Sequence, residues 1–155
     1  MPAGGALATF AVMAKAKTTI GRTEYIALPK LGVVRVEAKM DTGAYRSALH
    51  YQKLLLRSTE GKDELVVTFA MGRKRTKVVF KRFTQVVVKS STGQRTERYL
   101  ISTPVKLNGF TVNTQFTLFD RSDMKHQVLL GRKFLRGRFV VDVERKRTLA
   151  KSGAQ

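Results

Sequence analysis

The sequence predicts a mainly β fold in one domain, a barrel or a sandwich of many short strands. Three observations predict it. Apolar and polar residues alternate in two separate segments, Val34 to Met40 and Phe110 to Leu118, which is the period of a half-buried strand. Gly, Pro and Asn recur between such segments, as turns must between strands. Finally, 155 residues with 43% hydrophobic content make one domain with enough apolar surface to bury a core.

Taken in order, residues 1–17 are expected to be a disordered extension. Their weakly apolar stretch, Ala6 to Met13, falls far short of the ~20 residues that cross a bilayer. It also lacks the preceding positive charge of a secretory signal, and Met13 is a candidate for the natural start. The folded domain is expected over 18–147, with a frayed basic tail at 148–155.

Within the domain, Thr23 to Leu28 reads as a strand stopped by Pro29, with Lys30-Leu31-Gly32 as a turn. From Val34 the alternation places Val34, Val36, Ala38 and Met40 on the core face, and Arg35, Glu37, Lys39 and Asp41 on the polar face. Ser47 to Leu56 fits a short helix or a second strand. Leu65 to Met71 and Lys77 to Val88 read as strands around the basic turn Gly72-Arg73-Lys74-Arg75. Ser90 to Gln94 is a polar hairpin tip from which Glu97 to Ser102 returns. Asn108-Gly109 is the strongest hairpin signal in the chain. Val128-Leu129-Leu130-Gly131 is a buried apolar run, Arg132 to Arg136 one helical turn, and Phe139 to Val143 a last strand.

Charge and composition narrow the chemistry. Thirty Lys and Arg face eleven Asp and Glu, a net charge of +19, and such a surface attracts polyanions. With no Cys, disulfides, thiolate metal sites and a cysteine nucleophile are excluded, and a cytoplasmic location fits. His50 and His126 are the only histidines and no H-E-x-x-H occurs, so a zinc-hydrolase ligand set is missing. No phosphate-cradling G-x-x-x-x-G-K-[ST] loop is present, and no cofactor is expected. Ser47 and His50 lack a nucleophile elbow. Asp120, Asp123 and Asp142 read as surface, turn or structural acids. What remains is Asp41, a carboxylate held at the end of a strand beside Gly43, where a tight turn is permitted.

Asp41-Thr42-Gly43-Ala44, together with the later Leu129-Leu130-Gly131-Arg132, resembles the retroviral-type (retropepsin-like) aspartic proteases. Further blocks sharpen the resemblance: Gly21-Arg22-Thr23-Glu24-Tyr25, Ala27-Leu28-Pro29-x-Leu31-Gly32, Ser47-Ala48-Leu49-His50, Thr103-Pro104-Val105, and Gly137-Arg138-Phe139-x-Val141-Asp142. With them the chain resembles, over roughly Ile20 to Val143, one bacterial family labelled ATP-dependent zinc proteases, also called RimB-like or RimK-associated. Neither zinc ligands nor a nucleotide loop can be assigned among its residues.

The resemblance implies a closed acid-protease barrel, a single lobe with one short helix after the second motif. It implies Asp41 as the catalytic residue, with Thr42, Gly43, Ala44, Leu130, Gly131 and Arg132 supporting the active-site loop. A lone triplet implies a homodimer, Asp41 of each copy facing across a two-fold axis with Thr42 bridging it. The hairpin from Lys89 to Arg95 falls where the family places its flap, so Ser90, Ser91, Thr92, Gly93, Arg95 and Arg98 are the expected substrate-binding residues. One departure stands out: Tyr45 occupies the position where retroviral enzymes carry an Asp that pairs with the second motif's Arg. Arg132 must therefore find another partner.

Through RimK, a ligase that adds glutamates to a ribosomal protein, the resemblance implies an acidic, glutamylated substrate and ribosome association, with no membrane. Arg73, Lys74, Arg75, Lys81 and Arg82 offer a basic stripe for it. Two alternatives stand beside this reading. One is a non-catalytic polyanion- or RNA-binding module using Tyr45, Tyr51 and Tyr99; the other is the zinc-dependent hydrolase of the family label.

Overall fold

The computed structural model describes residues 16–72 and 74–151. Ala6 to Met13 and Arg73 therefore lie outside the described residues. Within the described residues, twelve strands form three sheets. They are β1 (Thr18–Gly21), β2 (Thr23–Leu28), β3 (Val33–Met40), β4 (Ser47–His50), β5 (Lys53–Thr59), β6 (Lys62–Phe69), β7 (Thr76–Phe80), β8 (Thr84–Lys89), β9 (Arg95–Leu107), β10 (Phe110–Phe119), β11 (Val128–Leu130) and β12 (Phe139–Asp142). A single helical turn, α1 (Arg132–Leu135), follows β11, and α2 (Thr148–Lys151) ends the described chain.

The largest sheet runs β10-β4-β11-β3-β2-β9-β8, and pairing of β9 with β10 closes six of its strands into a barrel. That closing pair is the hairpin expected at Asn108-Gly109. Both residues adopt positive φ, 43° and 83°, the backbone a two-residue hairpin needs at both central positions. The core runs through the barrel, with Ile26, Leu28, Ala38, Met40, Leu49, Ile101, Val105, Phe116, Leu118, Val128 and Leu130 buried. The sheet β5-β6-β7 is separate and seals Leu65, Val67 and Phe69 against the same core.

Several local expectations change. Ser47 to Leu56 resolves as two strands, β4 and β5. The span Lys77 to Val88 is broken at Lys81-Arg82-Phe83 into β7 and β8, which belong to different sheets. Lys74 and Arg75 consequently sit at one end of β7, and Lys81 and Arg82 at the other.

Val34 was expected inside but is 89% exposed, while Val33 is buried. The cause is a bulge: Ile26 pairs with Val36 but Leu28 with Val33. An extra residue on β3 thus reverses the side-chain alternation there. Beyond the bulge Ala38 and Met40 are buried as expected.

At the C-terminus, Thr148–Lys151 is helical although the sequence reads as a frayed tail. Glu24, fully buried, explains it. Its carboxylate accepts the backbone N–H groups of Thr148 and Leu149, each at 3.1 Å, and that of Gly21 at 2.7 Å. Donors that a helix start leaves unpaired thereby gain an internal acceptor, and the last turn is tied to β1. That first strand, unrecognised in the sequence, pairs in parallel with β12.

Candidate active site

Strand β11 inserts between β3 and β4, parallel to the first and antiparallel to the second. The loop 41–46 joining β3 to β4 must therefore cross the end of β11. This topology brings the second motif under the first. Met40 pairs with Leu130, and the next residue, Asp41, donates its backbone N–H to the Leu130 carbonyl at 2.8 Å.

The loop is then fixed by main-chain contacts. Arg132 N–H donates to the Ala44 carbonyl at 2.8 Å and Lys133 N–H to the Tyr45 carbonyl at 3.0 Å. The amide of Gly131 donates to the buried Ser47 Oγ at 3.1 Å. Gly131 must be glycine because a Cβ there would lie 2.7 Å from the Ala44 carbonyl oxygen and 2.6 Å from that of Arg46.

Asp41 itself is half-buried. One of its oxygens, Oδ1, accepts the Gly43 N–H at 2.9 Å, and its carbonyl accepts the Ala44 N–H at 3.3 Å. This is an Asx-type turn, and it aims the carboxylate from the edge of the barrel. Thr42, Gly43 and Tyr45 beside it are exposed. With an aromatic at position 45, the Arg132 guanidinium donates to the Thr42 carbonyl at 3.0 Å and lies 6.0 Å from the Tyr45 ring centre.

The hairpin β8-β9 extends from the barrel with its tip at Ser90–Gln94. Ser90 N–H and the Gln94 carbonyl close it at 2.8 Å, the Ser90 and Thr92 hydroxyls meet at 2.9 Å, and Gly93 takes φ 88°. Ser90, Ser91, Thr92, Gly93 and Arg95 are exposed; Arg98, at the base, is half-buried.

Residues of the competing readings do not converge. Ser47 Oγ is occupied by the Gly131 amide. His50 Nδ1 accepts the Arg121 N–H at 2.9 Å, whereas His126 Nε2 meets Glu37 Oε1 at 3.2 Å. Among the described residues no group of three or more His, Cys, Asp or Glu could hold a metal ion, so the residues present do not fit the zinc of the family label. Tyr51 and Tyr99 pack against the core, Tyr99 edge-on to Phe83, leaving Tyr45 exposed by itself of the three.

One residue absent from every motif stands out: Arg121, a buried arginine just past β10. Its Nε donates to the His126 carbonyl at 2.9 Å. Burial, then the neighbouring charge of Arg98, pushes its pKa down, while the Asp41 carboxylate works in the opposite direction. No sequence pattern announces it, since only the fold buries it.

A closed barrel with an Asp-Thr-Gly loop locked by a downstream glycine run defines a protease-like domain of the retropepsin kind. The chain belongs to the RimB-like family, described as "Retropepsin-like aspartic endopeptidase RimB", which matches residues 19–152. It is similar to proteins named "Probable alpha-L-glutamate ligase". For Shewanella pealeana the identity is 29% over 145 residues, covering 91% of this chain and 32% of the relative. For Desulfotalea psychrophila it is 30% over 131 residues, covering 82% and 28%. The chain thus spans about a third of the length of these relatives. A crystal structure of a Legionella pneumophila protein of unknown function (DUF785) shares the fold, with TM-score 0.71, 20% identity, and coverage of 86% of this chain and 98% of that one. Among the described residues no helix is long and apolar enough to cross a membrane.

Proposed function

We propose that the protein is an aspartic endopeptidase completed by a second copy of itself, with Asp41 of each protomer sharing one site. The observation that carries this reading is the Asp41 loop, which the β11–α1 backbone braces from behind. The exposed Thr42 and Gly43 supply a surface for the same loop of a partner. Two carboxylates that close cannot both ionise, so they hold one proton between them and titrate as a unit. The ionised oxygen takes a proton from water as the water attacks the peptide carbonyl, and the protonated carboxyl donates to the carbonyl oxygen. The resulting diol then collapses, one hydroxyl returning its proton to the ionised carboxylate while the proton taken from water passes to the amide nitrogen and the C–N bond breaks. The β8-β9 hairpin closes over the substrate as a lid.

The substrate in this reading is an acidic, glutamate-bearing protein, with ribosome association and a cytoplasmic location as part of the same proposal. The net charge of +19 and the glutamate-ligase names of the relatives support it. The test is hydrolysis of a glutamylated ribosomal protein by wild type and Asp41→Asn. Loss of cleavage in a folded variant is expected, and equal cleavage by the two would sink the reading. Sedimentation of the wild type should give a dimer while it cleaves.

A second reading keeps the barrel but not the chemistry. Tyr45, 45% exposed and flanked by Arg46 at 5.8 Å and Arg132 at 6.0 Å, offers a stacking and charge surface for single-stranded RNA. RNA binding unchanged by Asp41→Asn, with no proteolysis across pH, would favour it.

A further inference from the structure

Three cations meet the Asp41 loop through neutral partners alone. The Arg132 guanidinium donates from Nη1 to the carbonyl of Thr42, the residue directly after Asp41, at 3.0 Å. It lies 6.0 Å from the centre of the Tyr45 ring, and Arg46 lies 5.8 Å from the same centre. Lys133 Nζ donates to the Gln115 amide oxygen at 2.5 Å, while its backbone N–H holds the Tyr45 carbonyl at 3.0 Å. The ion pairs among the described residues use Arg57, Arg145, Arg147 and the histidines, and none of these three cations.

Tyr45 is 45% exposed, and Lys133 fixes its backbone, so the ring is presented at the loop instead of packed away. An aromatic ring attracts a guanidinium without neutralising its charge. Each guanidinium carries five N–H donors in a planar fork, and the Thr42 carbonyl takes one from Arg132. The donors that remain match a carboxylate in two-point geometry. Both guanidiniums flank one ring, so a peptide chain crossing it meets both. An alternative duty for Arg132 is structural, clamping the loop through Thr42. That duty leaves unexplained the exposed ring and Arg46, whose side chain makes no hydrogen bond among the described residues.

We propose that Arg132 and Arg46, held at the Tyr45 ring, bind a carboxylate of the chain to be cut and so select acidic sequence next to the scissile bond. This subsite rests on the endopeptidase reading for what is bound there, and it adds the residues that do the selecting. A glutamate side chain and a peptide's C-terminal carboxylate present the same group, so both sources must be tried.

The experiment uses binding, so that it does not depend on turnover. In the full-length Asp41→Asn protein, fluorescence anisotropy follows labelled oligoglutamate and oligoglutamine peptides, each with a free or amidated C-terminus. Salt of about 0.3 M confines electrostatics to roughly 6 Å and removes the pull of remote lysines. Oligoglutamate should then bind about 5-fold or more tightly than oligoglutamine, the scale of one or two exposed charge pairs. Adding Arg46→Gln or Arg132→Lys should each reduce that ratio by about 2- to 5-fold. Adding Tyr45→Asp should bring it to near parity, because the new carboxylate occupies Arg132 from within. Lys62→Glu, a larger charge change at an exposed position on β6, should leave the ratio within about 1.5-fold.

If side chains are read, the ratio holds with either terminus. If the C-terminal carboxylate is read, amidation weakens both peptides alike, and the three variants abolish that loss. The subsite is overturned if neither glutamine nor amidation weakens binding, or if Lys62→Glu lowers the discrimination as much as Arg46→Gln and Tyr45→Asp do. A shift in Tm on Arg132→Lys with the discrimination intact would leave Arg132 a structural clamp and overturn it too. Labelled oligouridylate runs through the same series; variants that lose RNA binding but keep the discrimination assign the surface to RNA instead. Should Arg132→Lys or Tyr45→Asp fail to fold, Arg46→Gln, which breaks no hydrogen bond, decides the matter. Failure of the endopeptidase reading is seen separately, as hydrolysis that survives Asp41→Asn.

Discussion

Gly131→Ala isolates the link between the second motif and the Asp41 loop. The φ of Gly131 is −96°, open to any residue, so the penalty comes from contact and not from backbone conformation. A new Cβ would sit 2.6 Å from the Arg46 carbonyl oxygen, against 3.4 Å for ordinary contact. The loop must retreat by the difference, about 0.8 Å. Overpacking of this kind costs about 1–3 kcal/mol, and the obstacle is backbone, which cannot rotate away. Weakening the Arg132-to-Ala44 hydrogen bond adds to it, for a total of about 2–3 kcal/mol.

For a chain of this size each kcal/mol lowers Tm by about 2–4 °C, so a fall of about 4–12 °C is expected. If Asp41 works as proposed, a displacement near 1 Å should also slow hydrolysis by as much as about 100-fold. Gly21→Ala is the control. Its Cβ would meet the Arg145 carbonyl oxygen at 2.7 Å and Lys146 Cα at 2.8 Å, a comparable clash at the β1 end of the fold. It should lower Tm similarly yet retain most of the hydrolysis rate. Scanning calorimetry and a peptide-cleavage assay on both variants decide. Gly131→Ala melting within about 1 °C of wild type, or Gly21→Ala losing as much activity, would refute the reasoning.

Two other substitutions probe the supports of the site. Ser47→Ala removes the acceptor of the Gly131 amide and leaves a buried N–H unpaired; urea denaturation should show a loss of about 1–3 kcal/mol with the slope unchanged. Glu37→Gln tests the cluster of Glu37, Arg147 and His126. The hydrogen bond from Arg147, Nε to Oε2 at 2.6 Å, outweighs opposing burial and, with the Arg147 charge and the His126 contact, holds Glu37 below the usual carboxylate range. A carboxylate depressed by folding contributes stability above its unfolded pKa of about 4.3 and loses it as pH falls through the folded value. Arg147 is substantially exposed, so wild type should exceed the variant by only about 1 kcal/mol at pH 7. In pH-dependent melts that gap should close below about pH 4. A gap that persists or widens in acid would contradict the assignment.

Local chemistry was legible wherever one element decided it. Asn108-Gly109, the Ser90–Gln94 tip and the β11–Gly131–α1 run each carry their own signal, and each folds accordingly. What could not be read were properties created by pairing. The bulge at Ile26/Leu28 that turns Val34 outward depends on how β2 meets β3. The break at Lys81-Arg82-Phe83 depends on β7 and β8 joining different sheets. The helical turn at Thr148 depends on a carboxylate distant in sequence, Glu24. Arg121 was hidden for the same reason, because a surface-type residue becomes a buried cation only when β4, β10 and the His126 segment close around it.

Tyr45 connects these points. An acid at that position would neutralise Arg132; the aromatic keeps Arg132 in place without doing so. The Thr42 carbonyl takes the guanidinium at 3.0 Å, and in this exposed setting such a bond is worth about 1 kcal/mol. The Tyr45 ring, at the edge of cation–π range, contributes about 0.5 kcal/mol at most. The loop is thereby held by contacts that leave the positive charge unspent. Arg132 at the loop, Arg98 at the hairpin base and Arg121 just past β10 are likewise held by a carbonyl or a ring, and none of them makes an ion pair among the described residues. In a protein of +19, a surplus of surface lysines would attract polyanions without discrimination and would be screened by salt. A guanidinium held in place by a carbonyl or a ring is geometrically demanding instead, because its planar fork fits a carboxylate in one orientation. The two cases therefore separate in one titration: if acidic peptides are drawn by the surface, affinity collapses at high ionic strength, and if by these arginines, the preference for glutamate over glutamine survives after overall affinity has fallen.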